Sequence, residues 1–306
     1  MSPADPAATR TLRPPEQYDL LGTVAPLAMG AHDPCARIAA GTFWWTARTP
    51  DGPGTLSLHR QGGELLAQGY GPGAAAVVAV ADRIAGLHDD VTGFTELATA
   101  HPVVHRLARA HPGLRMPATG ELFPRLLRAV FEQKVTGKEA YRAYAATVRR
   151  FGEPAPGPLQ PLWVPPEPAV IAAQPYWVFH PFGVEQRRAE TLRRAAAEAG
   201  RLARCADATE ATRRLVAIRG IGAWTAAEVV RIVHGDPDAV SVGDFHIPNM
   251  VAWALAGEAR ADDARLLELL EPFRGHRGRV CRLLLAEGVQ APKFGPRMPL
   301  RSFARY

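Results

Sequence analysis

One short segment of the chain combines residue types that can grip a phosphate group. Gly220 and Gly222 flank Ile221 where one apolar-periodic stretch ends, at Ile218, and the next begins. Glycine adopts unusual backbone conformations at low steric cost, so this pair predicts a tight turn between two helices. The first N–H groups of the second helix lack partners within the helix, and the helix dipole favours an anion beside them. The same spacing fits an ordinary corner between two packed helices, and the spacing alone leaves both interpretations open.

The elements that follow this turn lead to a single carboxylate. The second helix is expected to end at a His-Gly-Asp-Pro sequence over residues 234–237, and residues 240–243 then lead into Asp244. Another helical stretch is expected over residues 245–256. Aspartate is a strong helix N-cap, so the pattern predicts that Asp244 caps this helix.

The order of these features resembles the helix-hairpin-helix DNA glycosylase superfamily. Its motif is a Gly-hydrophobe-Gly hairpin, then a loop with glycine and proline, then one aspartate. The most similar branch is the alkylpurine branch, that of 3-methyladenine DNA glycosylase II. Residues 111–117 and 129–136 are similar to the helical segment that precedes the DNA-wedge loop of that family. The resemblance extends over nearly the whole chain. It implies a base-excision repair enzyme that flips an alkylated purine out of the duplex and hydrolyses its N-glycosidic bond.

The resemblance assigns the catalytic role to Asp244. Breaking the glycosidic bond of a purine builds positive charge on the deoxyribose. A neighbouring carboxylate stabilises this oxocarbenium-like charge and can orient or activate water. Helix capping and catalysis are compatible roles for one carboxylate.

Two absences narrow the class of enzyme that the resemblance implies. Bifunctional relatives carry a Schiff-base lysine two residues after the second hairpin glycine, where this chain has Trp224, which cannot act as a nucleophilic amine. Relatives with an iron–sulfur cluster need four closely spaced cysteines near the C-terminus, and only Cys281 lies there. We therefore expect a monofunctional hydrolase with no cofactor and no catalytic metal.

Several residues are candidates for the base pocket. Trp224 can stack on a flipped base, and its face can attract a positively charged alkylated purine. Tyr176 and Trp177, in an aromatic cluster with Phe179, can line the same pocket, although each aromatic residue has core packing as its alternative. Glu228 follows Trp224 by one helical turn, where the alkylpurine enzymes carry an aromatic residue. It is either a solvated helix residue or a hydrogen-bond acceptor for a base edge.

A separate group of residues is expected to contact DNA, mostly through phosphates and without reading sequence. The hairpin supplies backbone groups, the wedge loop lies after the first long helix, and further arginines lie near the C-terminus. These candidates are Arg219, Gly220, Ile221, Gly222, Ala223, Gln133, Lys134, Arg274 and Arg277. The carbonyls of Val216, Ile218 and Ile221 are candidates to hold a monovalent cation.

Composition is consistent with these expectations. The 306 residues carry a formal net charge of +6, with 47% hydrophobic and 22% charged residues, as in an ordinary globular protein. A basic balance suits a polyanionic partner such as DNA. The first 20 residues contain no apolar run and no stretch is long enough to span a membrane, so a cytoplasmic location is expected.

The pattern of turns and apolar residues predicts an α+β fold with a small N-terminal antiparallel sheet. Residues 1–18 are expected to be disordered, 19–100 to form the α+β domain, and 292–306 to form a basic C-terminal tail. Residues 101–291 are expected to form a helical glycosylase domain, with the hairpin motif at 209–233. Seven prolines between residues 153 and 168 predict a stiff connection without regular structure.

Two further functions remain open at this stage. The changed residue at position 228 permits a glycosylase that acts on deaminated or oxidised purines. A helix-hairpin-helix DNA-binding protein without activity is the third possibility, although the presence of Asp244 argues against it.

Overall fold

The computed structural model describes residues 5–292, which form the expected α+β fold. Five antiparallel strands form a sheet in the order β1-β5-β4-β3-β2. These strands are β1 (Ala8–Leu12), β2 (Ala36–Ala39), β3 (Thr42–Thr49), β4 (Gly52–Gln61) and β5 (Glu64–Tyr70). Gly62, in the turn between β4 and β5, has a positive φ of 61°, as tight hairpin turns commonly require.

The expectation of disorder over residues 1–18 is wrong for residues 8–12, because they form β1. This strand pairs with β5 in the register Ala8↔Gly69 to Leu12↔Leu65. Tyr18 is also buried, and its hydroxyl donates a 2.6 Å hydrogen bond to the carbonyl of Ala85. The partners of this segment lie more than forty residues away, so its own polar, proline-containing sequence does not reveal the pairing.

The remainder of the chain is mostly helical. The N-terminal half contains α1 (Leu20–Val24), α2 (Ala74–Ala79), α3 (Ala81–Ile84), α4 (Phe94–Leu97), α5 (Pro102–Ala110), α6 (Leu122–Phe131) and α7 (Gly137–Phe151). The C-terminal half contains α8 (Pro168–Ala173), α9 (Gln186–Ala197), α10 (Ala199–Leu202), α11 (Ala208–Val216), α12 (Ala223–Val233), α13 (Ile247–Ala256), α14 (Asp263–Leu270) and α15 (Arg277–Ala286). No helix among residues 5–292 is both long enough and apolar enough to cross a membrane.

The proline-rich segment contains regular structure that was not expected. Two short strands, β6 (Glu153–Pro154) and β7 (Trp163–Val164), pair with each other in antiparallel fashion. The backbone of Trp163 is also fixed to the N-terminal domain: its amide donates to Pro34, and its carbonyl accepts from the Thr46 hydroxyl at 2.6 Å. Proline is tolerated at such edges because it needs no ladder partner for its nitrogen.

The buried side chains form three main clusters, and the site lies between two of them. The first cluster fills the space between the sheet and α2, around Phe43, Leu56 and Leu65. The second joins α6, α9, α11 and α12, and the third joins α5 to the C-terminal helices α13, α14 and α15. Residues 234–246 connect α12 in the second cluster to α13 in the third. The chain thus carries Asp244 across the boundary between the two helical halves.

Candidate active site

The hairpin between α11 and α12 depends on the conformation of Gly220. Its φ is +100°, and a Cβ at this position would lie 2.1 Å from Oγ1 of Thr191. A larger residue would therefore be strained by its backbone angle and would also collide with α9. Ile218 and Ile221 are buried on either side, and the Ile221 amide donates to the Ile218 carbonyl at 2.9 Å. The turn is fixed by its own hydrogen bond and by two apolar anchors.

Gly222 opens the N-terminus of α12 to solvent. It is the N-cap of this helix. Within the described part of the chain, no side chain caps the helix at that end, and no atom lies within 4 Å of where the Cβ of residue 222 would be. Ala223 is also exposed. The side chain of Arg219 beside them is exposed and forms no ion pair with any of the described residues. The N-terminus of α12 is therefore suited to bind an anion. Its free N–H groups, its helix dipole and the guanidinium of Arg219 all favour negative charge there.

The loop between α6 and α7 is tied to this hairpin. The side-chain amide of Gln133 donates to the Gly220 carbonyl at 3.0 Å and to Oγ1 of Thr225 at 2.9 Å. The next residue, Lys134, is exposed and has a φ of +53°. A left-handed backbone costs about 1–2 kcal/mol for a residue other than glycine, so this conformation needs support from its surroundings. The preceding residue, Gln133, ties the loop to the hairpin, and both of its side-chain amide donors are engaged within the protein.

Asp244 accepts hydrogen bonds from both sides of the helical boundary. Its Oδ1 accepts from the backbone amides of His246 at 2.7 Å and Ile247 at 2.9 Å. Its Oδ2 accepts from Nε1 of Trp224 at 2.8 Å. The following helix, α13, begins at Ile247, two residues later than expected, and its N-cap residue is His246. Asp244 binds the first amides of this helix start from a position ahead of it. The carboxylate is thus oriented by α12 and by the start of α13 together.

The backbone around Asp244 is also fixed. The Asp244 amide donates to the Ser241 carbonyl at 3.2 Å, and the Gly243 amide donates to Oδ1 of Asp263 at 2.9 Å. Gly243 has a φ of +87°, which few other residues adopt. These contacts hold the turn that presents the carboxylate.

Phe245 is a site residue that the sequence interpretation missed. Its side chain is 77% exposed, directly after Asp244, and its ring makes an edge contact with His246 at 5.0 Å between centroids. The sequence interpretation placed residue 245 at the start of a helix, so the exposure of its side chain was not recognised. The available signal was an aromatic residue immediately beside the catalytic candidate.

The structure corrects the interpretation of Glu228, which is neither solvated nor available to a base. Its Oε1 accepts from Nε of Arg231 at 2.9 Å and from the Ser241 hydroxyl at 2.6 Å. Its Oε2 accepts from Arg125 and Arg231, each at 2.6 Å. A carboxylate has about four acceptor positions, so these four hydrogen bonds leave none for a base edge.

Glu228 belongs to a cluster of alternating charges whose side chains are only 5–21% exposed. We call it the Arg/Glu cluster, and its members are Arg125, Arg128, Glu132, Glu228 and Arg231. Arg125 also pairs with Glu132 at 3.2 Å, and Arg128 pairs with Glu132 at 3.0 Å. Burial raises the pKa of Glu228, but the charges of Arg231 and Arg125 outweigh it and hold this pKa well below its ordinary value. The cluster joins the end of α6, next to Gln133 and Lys134, to the middle of α12.

The aromatic residues Tyr176 and Trp177 lie on a different segment from the helix α12 that carries Trp224. These residues open a 3₁₀ segment, Tyr176–Phe182, that packs mainly against α7 and α9. Trp177 is 60% exposed and contacts Tyr176 edge to face at 5.4 Å. Phe179 is fully buried, which confirms the core role expected for at least one member of this group. A pocket role for Tyr176 and Trp177 stays a prediction.

The two C-terminal arginines are engaged within the protein. Arg277 pairs with Asp238, whose Oδ1 also accepts the amides of Gly275 and Arg277. Arg274 pairs with Glu271 at 2.6 Å but remains mostly exposed. Contacts of Arg274 and Arg277 with DNA stay predictions, and Arg277 is the less available of the two because its guanidinium is held by Asp238.

The cation hypothesis for the hairpin stays a prediction. Of the three candidate carbonyls, that of Ile218 accepts the Ile221 amide and keeps a second lone pair, while Val216 is exposed. Within residues 5–292, no group of three or more His, Cys, Asp or Glu side chains is placed to hold a metal ion. The expected basic tail over 292–306 lies outside the described residues, apart from residue 292.

Comparison with solved structures identifies the fold of the chain. No protein-family model and no curated protein sequence matches the chain. Among solved structures, 3-methyladenine DNA glycosylase from Archaeoglobus fulgidus superposes with a TM-score of 0.77 at 17% identity, over 91% of this chain and 98% of that one. The 8-oxoguanine glycosylase/lyase from Clostridium acetobutylicum, in complex with double-stranded DNA, gives 0.70 at 13% identity, over 94% and 97%. The chain therefore has the helix-hairpin-helix DNA glycosylase fold that the sequence predicted.

Proposed function

We propose that this protein is a monofunctional DNA glycosylase of base-excision repair that hydrolyses the N-glycosidic bond of alkylated purines. The observation that supports it best is the carboxylate of Asp244, which α12 and α13 hold in one orientation beside an open helix N-terminus. A site that grips a phosphate and presents an oriented carboxylate nearby has the two parts that this reaction needs.

In this proposal, damaged double-stranded DNA lies with a phosphate on the first turn of α12. Arg219 and the backbone of Gly220, Ile221, Gly222 and Ala223 bind the phosphate, while Lys134 occupies the gap left by the flipped base. The exposed ring of Phe245 and the face of Trp224 contact that base. Electron-rich faces attract the positive charge of an alkylated purine, which favours this substrate class.

The chemistry follows from the hydrogen bonds of Asp244. Three of about four acceptor positions on its carboxylate are filled, one of them on Oδ2. The remaining position on Oδ2 can face the sugar, where the negative charge stabilises the oxocarbenium-like transition state, or accept a proton from the attacking water. Since Trp224 stands where lyase relatives carry their lysine, we propose hydrolysis with no covalent intermediate.

A second candidate is a glycosylase for oxidised or deaminated purines. The fold is nearly as similar to the 8-oxoguanine enzyme as to the 3-methyladenine enzyme, with TM-scores of 0.70 and 0.77. Position 228 also carries a glutamate, held by Arg125 and Arg231, where the alkylpurine enzymes have an aromatic residue. A third candidate, an inactive DNA-binding protein, does not account for a carboxylate held by three N–H donors.

Mass spectrometry of bases released from alkylated, deaminated and oxidised duplex DNA distinguishes these candidates. We expect release of 3-methyladenine-type bases, and release slowed by about 10²- to 10⁴-fold in the Asp244→Asn variant. Release of 8-oxoguanine or hypoxanthine instead would favour the second candidate. DNA binding without release of any base would favour the third.

A further inference from the structure

Ser241 joins the Arg/Glu cluster to the segment that carries Asp244. Ser241 is 7% exposed, and its hydroxyl donates a 2.6 Å hydrogen bond to Oε1 of Glu228. Its carbonyl accepts the amide of Asp244 at 3.2 Å. One residue therefore connects a buried carboxylate on α12 to the backbone of the proposed catalytic aspartate.

Glu228 is a rigid anchor for this contact. Arg231 binds both of its carboxylate oxygens, and Arg125 binds Oε2 at 2.6 Å and the backbone carbonyl of Glu228 at 2.9 Å. Moving the carboxylate would leave buried guanidinium groups without partners, which is strongly unfavourable. The hydroxyl of Ser241 consequently has an acceptor whose position is fixed.

The same helix also fixes the side chain of Asp244. Trp224 and Glu228 are four residues apart on α12 and lie on one helical face. Trp224 holds Oδ2 of Asp244 through its indole nitrogen, and Glu228 holds the Asp244 backbone through Ser241. The carboxylate can keep one orientation only if both the backbone turn and the side chain are held.

We propose that Ser241 is a positioning residue that sets the orientation of Asp244 through its hydrogen bond to Glu228. This inference rests on the proposed function, in which Asp244 performs the chemistry. Misplacement of a catalytic group by about 1 Å can slow a reaction by about a hundredfold. Loss of one hydroxyl from a turn that has other tethers should produce part of that effect.

The first test compares Ser241→Ala with Ser57→Ala in single-turnover base release. Ser57 on β4 is a matched control, because it is also buried but its hydroxyl has no hydrogen-bond partner among residues 5–292. We expect Ser241→Ala to slow release by about 10- to 100-fold while its affinity for DNA that contains an abasic site stays within about twofold. Ser57→Ala should match the wild type. An unchanged rate in Ser241→Ala would overturn the proposal.

A double-mutant cycle with Asp244→Asn separates positioning from a merely structural role. If Ser241 acts through Asp244, then removal of its hydroxyl should change the residual rate of Asp244→Asn by less than about twofold. A chemically labile base such as 7-methylguanine keeps that residual rate measurable. An equal slowing in both backgrounds would contradict the proposal, because it would show that Ser241 does not act through the carboxylate.

A spectroscopic measurement decides the positioning claim even if the protein releases no base. The indole N–H of Trp224 can be assigned in the ¹H–¹⁵N spectrum by its loss in Trp224→Phe. We expect Ser241→Ala to shift this resonance and Ser57→Ala to leave it in place. A resonance unchanged in Ser241→Ala would overturn the positioning role, whereas absence of base release by the wild type would overturn the proposed function alone.

Discussion

Nε1 of Trp224 donates a 2.8 Å hydrogen bond to Oδ2 of Asp244, so the first turn of the hairpin helix holds the proposed catalytic carboxylate directly. The bond gives Trp224 a role that the sequence did not indicate. A tryptophan beside a base pocket was expected to act through its aromatic face, whereas its only polar atom is engaged with the carboxylate. Orientation of Asp244 and stacking on a base are separable roles of this one side chain.

Replacement of Trp224 by phenylalanine and by alanine separates these roles. Phenylalanine keeps an aromatic face but removes the N–H donor, so base release should slow while affinity for damaged DNA is retained. Alanine should slow release and also weaken binding, since a stacked base contributes about 1–3 kcal/mol. Single-turnover rates and binding titrations on both variants provide the measurement. Equal, wild-type rates in both variants would show that Trp224 acts in neither role.

The Gly222→Ala variant tests whether the N-terminus of α12 binds a DNA phosphate, because the substitution should leave the fold intact. Its φ of −108° suits alanine, and no atom of residues 5–292 lies within 4 Å of the added Cβ, so the fold should be retained. Because alanine is a poorer N-cap than glycine, a loss of stability of up to about 1 kcal/mol is expected. The methyl group would obstruct a phosphate at the α12 N-terminus and weaken binding to undamaged duplex. Gly200→Ala is the control, because its Cβ also enters open space. Equal affinities for the two variants would contradict the assignment of this helix end.

Binding to undamaged duplex should depend strongly on salt and little on sequence. Each phosphate contact adds about 0.9 to the slope of log affinity against log salt concentration. Titrations between low and moderate salt measure the slope, and Arg219→Ala should reduce it by about one contact. A salt-independent affinity would contradict binding through the DNA backbone.

The low pKa of Glu228 predicts how stability depends on pH. A carboxyl group whose pKa is lowered by folding stabilises the protein above its unfolded pKa, about 4.3, and this contribution is lost as pH falls through the folded pKa. Glu228→Gln leaves Arg125 and Arg231 poorly paired and should cost about 3–5 kcal/mol at pH 7. Denaturant titrations should find this difference constant above about pH 5 and smaller near pH 3. If the difference in free energy of unfolding between the wild type and Glu228→Gln grew as the pH fell, it would contradict a lowered pKa of Glu228.

Different parts of the site were predictable to different degrees. Gly220, Gly222 and Asp244 were found because turn chemistry and helix capping are local, so neighbouring residues determine them. Glu228 was misinterpreted because its partner Arg125 lies about a hundred residues earlier in the chain, and no local pattern shows that two buried arginines meet one carboxylate. Strand β1 was missed for the same reason, since its pairing with β5 is determined by the tertiary fold.

The most direct test of the account is base release by Asp244→Asn. Asparagine keeps one oxygen for the amides of His246 and Ile247, but its NH₂ group then faces the indole N–H of Trp224, so we expect a loss of stability of about 1–3 kcal/mol with the fold retained. The negative charge that stabilises a cationic sugar is removed. Single-turnover release of the preferred base should fall by about 10²- to 10⁴-fold, with binding to damaged DNA maintained. Release at the wild-type rate by a folded Asp244→Asn protein would contradict the central claim that this carboxylate performs the chemistry.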